Sequence, residues 1–327
     1  MASAEHDLIA RYFQPLASDA GALGLIDDAA VLAASGDDLV VTVDAVVEGV
    51  HFLATDPPET LARKALRVNL SDLAAKGATP AGFVLTLALR QAGDDWLAPF
   101  ARALGEDAAT FNCPLLGGDT VSTPGPLTVS ITAFGRVAPG TIVRRDRAQE
   151  GDRVVVSGSI GDAALGLDVL KGGKAAAALG DDASGRDYLA GRYRVPQPRL
   201  ALAKALRDHA HAAMDVSDGL IGDLAKLCAA SGVSARIEAA AVPLSPVAAR
   251  LLANGVAGIG TLVSGGDDYE VLATVPENRW AAFEAAAREA GVAVTTIGRI
   301  TAGGAPPVLV DSRGQAMVLQ RLSYSHF

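Results

Sequence analysis

Short β-rich runs alternate with amphipathic helical patterns along both halves of the chain. That alternation restricts it to a mixed α/β layer architecture, since each helix must bury its apolar stripe against a sheet. In the first half the spacing predicts strands over 39–43, 82–89 and 127–137, helices over 59–76 and 94–111, and a short apolar segment at 113–116. Pro57 and Pro58 precede the first helix, whose Leu61, Ala65, Val68 and Leu73 recur at helical spacing until Gly77 stops it. The polar, arginine-bearing stretch 141–151 reads as a boundary. Beyond it the pattern predicts strands over 153–157, 212–216, 233–237 and 269–275 and helices over 162–170, 199–209, 218–230 and 277–290. Residues 172–198 are small, polar and proline-punctuated, which reads as a surface excursion. A length of 327 residues fits two domains, expected over 1–140 and 151–327, and the fold class expected is α/β (α+β) with a mixed sheet in the first domain. That first domain offers more strand than a lone small sheet can cover, so its outer face is expected to pair with a second copy.

Charge narrows the partners. Lys and Arg total 28 against 37 Asp and Glu, a formal net charge of −9, so no general basic surface serves nucleic acid or an anionic membrane. The longest apolar run, near 83–89, closes at Arg90, far short of the roughly 20 residues that cross a bilayer. Glu5 and Asp7 lie where a signal peptide carries basic residues, and a cytoplasmic protein is expected. Cys113 and Cys228 each sit in an apolar segment and read as core.

The chemistry lies in where the acids are. Asp27, Asp28, Asp44, Asp72, Asp119, Asp215, Asp218, Asp267 and Asp268 stand beside glycine, at strand ends or in helix stripes. A carboxylate on rigid backbone with glycine beside it lets a phosphate or a second backbone approach closely; Asp and Gly also simply favour turns. Asp72 shares a polar stripe with Asn69 and Lys76, which a solvated helix face explains equally well. Asp215-Val216-Ser217-Asp218-Gly219 joins a strand to a helix; Ser217 or Asp218 could cap that helix, and free amides there would attract a phosphate oxygen. Gly158-Ser159-Ile160-Gly161 lacks the dinucleotide order, and neither a G-x-x-x-x-G-K-[ST] loop nor a G-x-S-x-G elbow occurs. A nucleotide would therefore be held through metal ions, and clustered carboxylates suit Mg²⁺, which keeps waters and substrate phosphates as its other ligands. His51 lies in an apolar stretch and reads by default as a buried, hydrogen-bonded structural histidine.

The ordered motifs resemble the thiamine-monophosphate kinase family of the aminoimidazole-ribotide-synthetase-like ATP-binding superfamily. They are Ile9-Ala10-Arg11-Tyr12-Phe13, Asp27-Asp28-Ala29-Ala30-Val31, Thr42-Val43-Asp44, Gly49-Val50-His51-Phe52 and Lys64-Ala65. Further along come Asn69-Leu70-Ser71-Asp72-Leu73, Gly117-Gly118-Asp119-Thr120, Met214-Asp215-Val216-Ser217-Asp218-Gly219-Leu220, Ser264-Gly265-Gly266-Asp267-Asp268-Tyr269-Glu270 and the terminal Tyr324-Ser325-His326-Phe327. The resemblance implies ATP-dependent phosphorylation of thiamine monophosphate to the diphosphate, a homodimer joined through the first domain, and a second domain that completes the active site. It further implies that Asp28, Thr42, Val43 (through its backbone), Asp44, Asp72, Asp119, Asp215 and Asp218 hold several Mg²⁺ ions, with Asp44, Asp72 and Asp218 catalytic. Gly118, Asp119, Arg145 and Ser217 would contact ATP, and His51, Asp267 and Tyr324 the thiamine phosphate. The family's glycine before the paired aspartates is Ile26 here, and its Glu after Gly-Gly is Asp267.

Two other readings stand beside this one. Another ATP-using enzyme of the superfamily would share the acids, but no Cys precedes Cys113, as a selenophosphate synthetase requires, and the chain ends in Phe327 rather than the cysteine of the hydrogenase maturation factor. A non-catalytic Mg²⁺- or nucleotide-binding protein would keep the carboxylates and make no ADP.

Overall fold

The computed structural model describes residues 7–25, 29–91 and 93–324. These divide into two compact units, one holding residues up to Leu73 with Ala78–Gly140, the other Ala74–Gly77 with the residues from Thr141 onward.

The first unit follows the order β1 (Asp38–Val47), α1 (Pro58–Ala75), β2 (Thr79–Leu89), α2 (Asp94–Thr110), β3 (Leu115–Ser122) and β4 (Thr128–Val137), after short helical turns between Ile9 and Leu25. Its strands form one mixed sheet in the order β1-β4-β2-β3, antiparallel except for the parallel β2–β3 pair. β4 shows why: Val129, Ile131, Ala133 and Val137 are buried and alternate with half-exposed residues, the two-residue period of a sheet with one covered face. The segment expected at 113–116 is longer than its apolar residues suggest. Backbone pairing carries β3 through Gly117, Gly118 and Asp119, so this motif is strand and not turn.

The second unit runs β5 (Arg153–Ser157), α3 (Asp162–Leu170), α4 (Lys174–Leu179), α5 (Ala183–Arg194), α6 (Ala203–His209), β6 (Ala212–Asp215), α7 (Leu220–Ser231) and β7 (Ser234–Glu238). It continues with α8 (Pro246–Ala253), α9 (Ile259–Val263), β8 (Val271–Val275), α10 (Trp280–Glu289), β9 (Val294–Thr301) and β10 (Val308–Val310). The sheet order is β10-β7-β9-β5-β8-β6, with β10–β7 parallel and the other pairs antiparallel. Both faces are covered. Val154 and Val156 of β5 enter a core with Leu220, Leu224 and Leu227 of α7, whereas Val155 enters another with Leu206 of α6 and Phe283 of α10. A strand buried on both faces reads as a continuous apolar run, which is why β5, β6 and β8 stand out in the sequence.

One expectation is overturned. Residues 172–198 are no surface excursion: they hold α4 and α5, whose Leu179, Leu189 and Tyr193 are buried. The small residues read as loop-forming include Ala175 and Ala176, which are buried inside α4, where short side chains allow close packing.

Candidate functional site

In the first unit, β1 and α1 assemble a polar cluster on the covered face of the sheet. Thr42 and Asp44 alternate with exposed Val41 and Val43, and so face α1 with buried Val40 and Val46. Thr42 Oγ1 donates to Asp72 Oδ2 at 2.5 Å, and Asn69 Oδ1, one turn earlier on α1, accepts the Asp44 N–H at 3.0 Å. Asn69 is fully buried and donates to the Ala65 carbonyl, which fixes its amide. Asp72 is thus turned toward β1, which answers the solvated-stripe reading.

His51 sits in the turn after β1. Its Nδ1 accepts the Val47 N–H at 3.1 Å, so the ring is hydrogen-bonded as expected but half-buried rather than buried, in the tautomer that carries its proton on Nε2. The buried Lys64 ammonium on α1 donates to the His51 carbonyl at 2.8 Å and fixes the same turn.

Asp119 lies elsewhere. Ala45, Ser130, Thr86 and Asp119 face one another across the four strands, and residues in register share a face. Asp119 therefore stands on the face opposite Thr42 and Asp44. Gly118 accounts for its own identity, since a Cβ there would lie 2.0 Å from the Leu85 carbonyl oxygen. Beside this segment runs a cavity of about 620 Å³, walled by Phe13, Ala22, Leu115, Leu116 and the backbone of Gly117–Thr120.

In the second unit, Asp215 is buried at the end of β6. The loop after it departs from expectation in two ways. Neither Ser217 nor Asp218 caps α7, which starts at Leu220 behind Gly219 with φ +126. The amides of Ser217, Asp218 and Gly219 are not free either, because all three donate to Asp223 Oδ2 at 2.9–3.1 Å. Burial pushes the Asp223 carboxyl up, against the pull of Lys226, whose ammonium bridges Asp218 at 2.5 Å and Asp223 at 2.8 Å. Asp267 then donates its N–H to the Ser217 carbonyl at 2.8 Å, and Tyr324 donates its own to the Asp218 carbonyl at 2.9 Å, so these four sequence-predicted residues form one neighbourhood. Asp268 is fully enclosed, and burial holds its carboxyl well above the usual range although the Gly161 and Ala163 amides bond it. Arg145 is exposed, and its carbonyl accepts from Ser231 Oγ. Asp28 lies outside the described residues.

Among the described residues no group of three His, Cys, Asp or Glu side chains forms a ready metal site. Thr42 and Asp72 meet through their side-chain oxygens, and Asp44 stands two residues further along β1 on the same face; these are oxygen donors, a type that fits Mg²⁺, which needs one or two protein carboxylates beside phosphates and water. Sequence reasoning missed Asp223, Lys226, Glu270, Arg192 and Arg199. Only Asp223, an acid in the first turn of a helix, carried a local signal.

Residues 26–137 match the AIR synthase related protein, N-terminal domain, and residues 149–311 its C-terminal domain. A thiamine-monophosphate kinase of Caulobacter vibrioides is 45% identical over 98% of this chain and 90% of its own length. The chain belongs to the thiamine-monophosphate kinase family. Within that family, the crystal structure of the Stenotrophomonas maltophilia K279a kinase aligns with a TM-score of 0.83 and 39% identity, covering 97% of this chain and 99% of that one. A further solved structure, AaThiL complexed with AMPPCP and TMP, aligns at 0.78 with 29% identity over 92% and 91% of the two chains.

Proposed function

We propose that this chain transfers the γ-phosphoryl group of ATP to thiamine monophosphate, yielding thiamine diphosphate and ADP. The observation that carries the reading is family membership over essentially the whole chain, together with a family member seen with AMPPCP and TMP. Thr42, Asp44, Asp72, Asp215 and Asp218, with Asp28 and the Val43 backbone, hold Mg²⁺, and Asp119, on the opposite face of the first sheet, holds a separate ion. Mg²⁺ held by these oxygens would supply charge neutralisation for the phosphates and the transferring group. The cavity along β3 takes the nucleotide, with Gly118 allowing close backbone approach and Arg145 and Ser217 as further ATP contacts; its volume suits a ligand of that size.

His51, fixed in its turn by the Val47 N–H on Nδ1, orients the thiamine phosphate together with Asp267 and Tyr324. A phosphate monoester has a second pKa near 6, so the attacking oxygen is already mostly anionic at neutral pH and no protein base is required. Transfer is direct and in line, without a phosphoenzyme.

The enzyme works as a homodimer through the open face of the first sheet, which carries exposed Leu39, Val41, Val43 and Val121. No helix among the described residues is long and apolar enough to cross a membrane. Cys113 and Cys228 are buried free thiols, pushed up to about 12 and about 11, which suits a reducing cytoplasm.

The deciding experiment measures ADP and thiamine diphosphate from ATP, Mg²⁺ and thiamine monophosphate. Nucleotide binding without product sinks the reading in favour of a sensor. Incubation with γ-labelled ATP alone leaves no label on the protein; a stoichiometric phosphohistidine that passes to thiamine monophosphate overturns direct transfer.

A further inference from the structure

The segment 264–270 holds two left-handed residues that are not glycine, Asp267 with φ +70 and Tyr269 with φ +49. Such conformations persist only where the surroundings over-determine them, and they concentrate at functional sites. Here the residues alternating with them are pinned. Asp268 accepts the Gly161 and Ala163 amides at 2.8 and 3.3 Å. Glu270, fully buried, receives Arg199 through both Nε and Nη2 at 2.6 and 2.5 Å, Arg192 Nη2 at 2.8 Å and Ser157 Oγ at 2.6 Å.

The same Arg192 nitrogen reaches the Asp268 carbonyl at 3.3 Å, so one guanidinium grips the segment at two points. Space for the carboxylate is reserved by Gly158, where a Cβ would lie 2.1 Å from Glu270 Oε1. On the other side, the Asp267 and Tyr269 amides donate to the Ser217 and Val216 carbonyls, and Val216 donates back to the Glu270 carbonyl. Apolar residues would stabilise a core as well as a buried ion cluster does. What the cluster adds is one fixed backbone path that the local sequence disfavours.

We infer that Glu270, clamped by Arg192 and Arg199, is the positioning residue for Asp267, holding its side chain at the thiamine phosphate. The inference rests on the assignment of Asp267 proposed above, and it gives α5 and the stretch leading to Arg199 a part in substrate binding.

The test is steady-state kinetics on Asp267→Asn, Arg199→Lys, Glu270→Gln and the combined Asp267→Asn/Arg199→Lys variant, each checked by thermal melting. Arg199→Lys keeps the charge, loses the two-pronged grip and is only partly buried, so it carries the test if Glu270→Gln does not fold. The expected result is a KM for thiamine monophosphate raised about tenfold or more in Arg199→Lys, with KM for ATP within about twofold. In the combined variant the KM for thiamine monophosphate should be no higher than in Asp267→Asn alone. A folded Arg199→Lys enzyme with normal KM values, or single effects that multiply in the combined variant, overturns the inference. A normal KM in Asp267→Asn instead overturns the assignment of Asp267 itself.

Discussion

In the second unit every strand of the central pair β5 and β8 is enclosed, with successive valines of β5 entering cores on opposite sides of the sheet. The first unit covers its sheet on one face only, where α1 packs over Thr42 and Asp44, and leaves Val41 55% exposed on the other. Buried acids that are compensated within the chain occur in both units, Asp223 by three amides and Lys226, Glu270 by two arginines, and Asp107 of the first unit by Arg63 and Arg67. Asp72 in the first unit is bonded to a neutral hydroxyl. One sheet is covered on both faces; the other leaves an apolar face, which the dimer proposed above would cover.

One substitution made in both sheets should separate them most sharply. Val155, 1% exposed in β5, becomes an enclosed charge in V155E, and a loss of more than about 4 kcal/mol is expected, read as failure to fold or a collapsed melting temperature. V41E should fold with a nearly unchanged melting temperature and run as a monomer in light scattering. A dimeric V41E protein, or a strictly monomeric wild type at micromolar concentration, removes the open face from the dimer proposal.

Asp72→Asn comes next. Loss of one pre-placed charge in a phosphoryl-transfer site is expected to lower turnover by about 100- to 1000-fold, while circular dichroism stays unchanged. Mg²⁺ should raise the melting temperature of the wild type, and that increment should shrink in the variant. Normal activity would return Asp72 to ordinary helix decoration.

The smallest effect belongs to the rim of the second sheet, where exposed Glu277 accepts from Arg153 at 2.6 and 3.0 Å and from Arg299 at 2.8 Å. The hydrogen bond from Arg153 and then that from Arg299 hold its carboxyl down at about 2, against an ordinary 4.5. A depressed carboxyl stabilises the fold above the ordinary value and ceases to as pH falls toward the depressed one. Stability should therefore decline between pH 4.5 and about 2, and E277Q should flatten that part of the acid profile slightly. An identical acid profile in the variant would show that this surface cluster contributes nothing.

Local pattern carried most of the strands that are buried on both faces, because continuous valine and leucine runs mark them directly. It missed β9, which lies inside the second sheet between β7 and β5, because Thr295 and Thr296 are half-exposed, Arg299 is exposed, and Ile297 and Ile300 are its buried apolar residues. The run 172–198 misled for the opposite reason: small residues that signal a loop also fit inside a packed helix, as Ala175 and Ala176 do in α4. Within the site, the acids and glycines were legible as motifs. The pairing of Thr42 with Asp72, and the placing of Asp119 on the other face, depended on a strand register that the motifs do not encode.

Hydrophobic periodicity is a property of neighbours a few positions apart, so the chain's own order of residues specified its α/β class, most of its elements and the segments that carry its acids. The clamp on Glu270 joins residues 78 and 71 positions away, and the turned carboxylate of Asp72 meets a strand 30 positions before it. Contacts of that range form when folding closes the loops between them, and whether an acid is solvated, caged by arginines or left for a cation is settled by what packs against it.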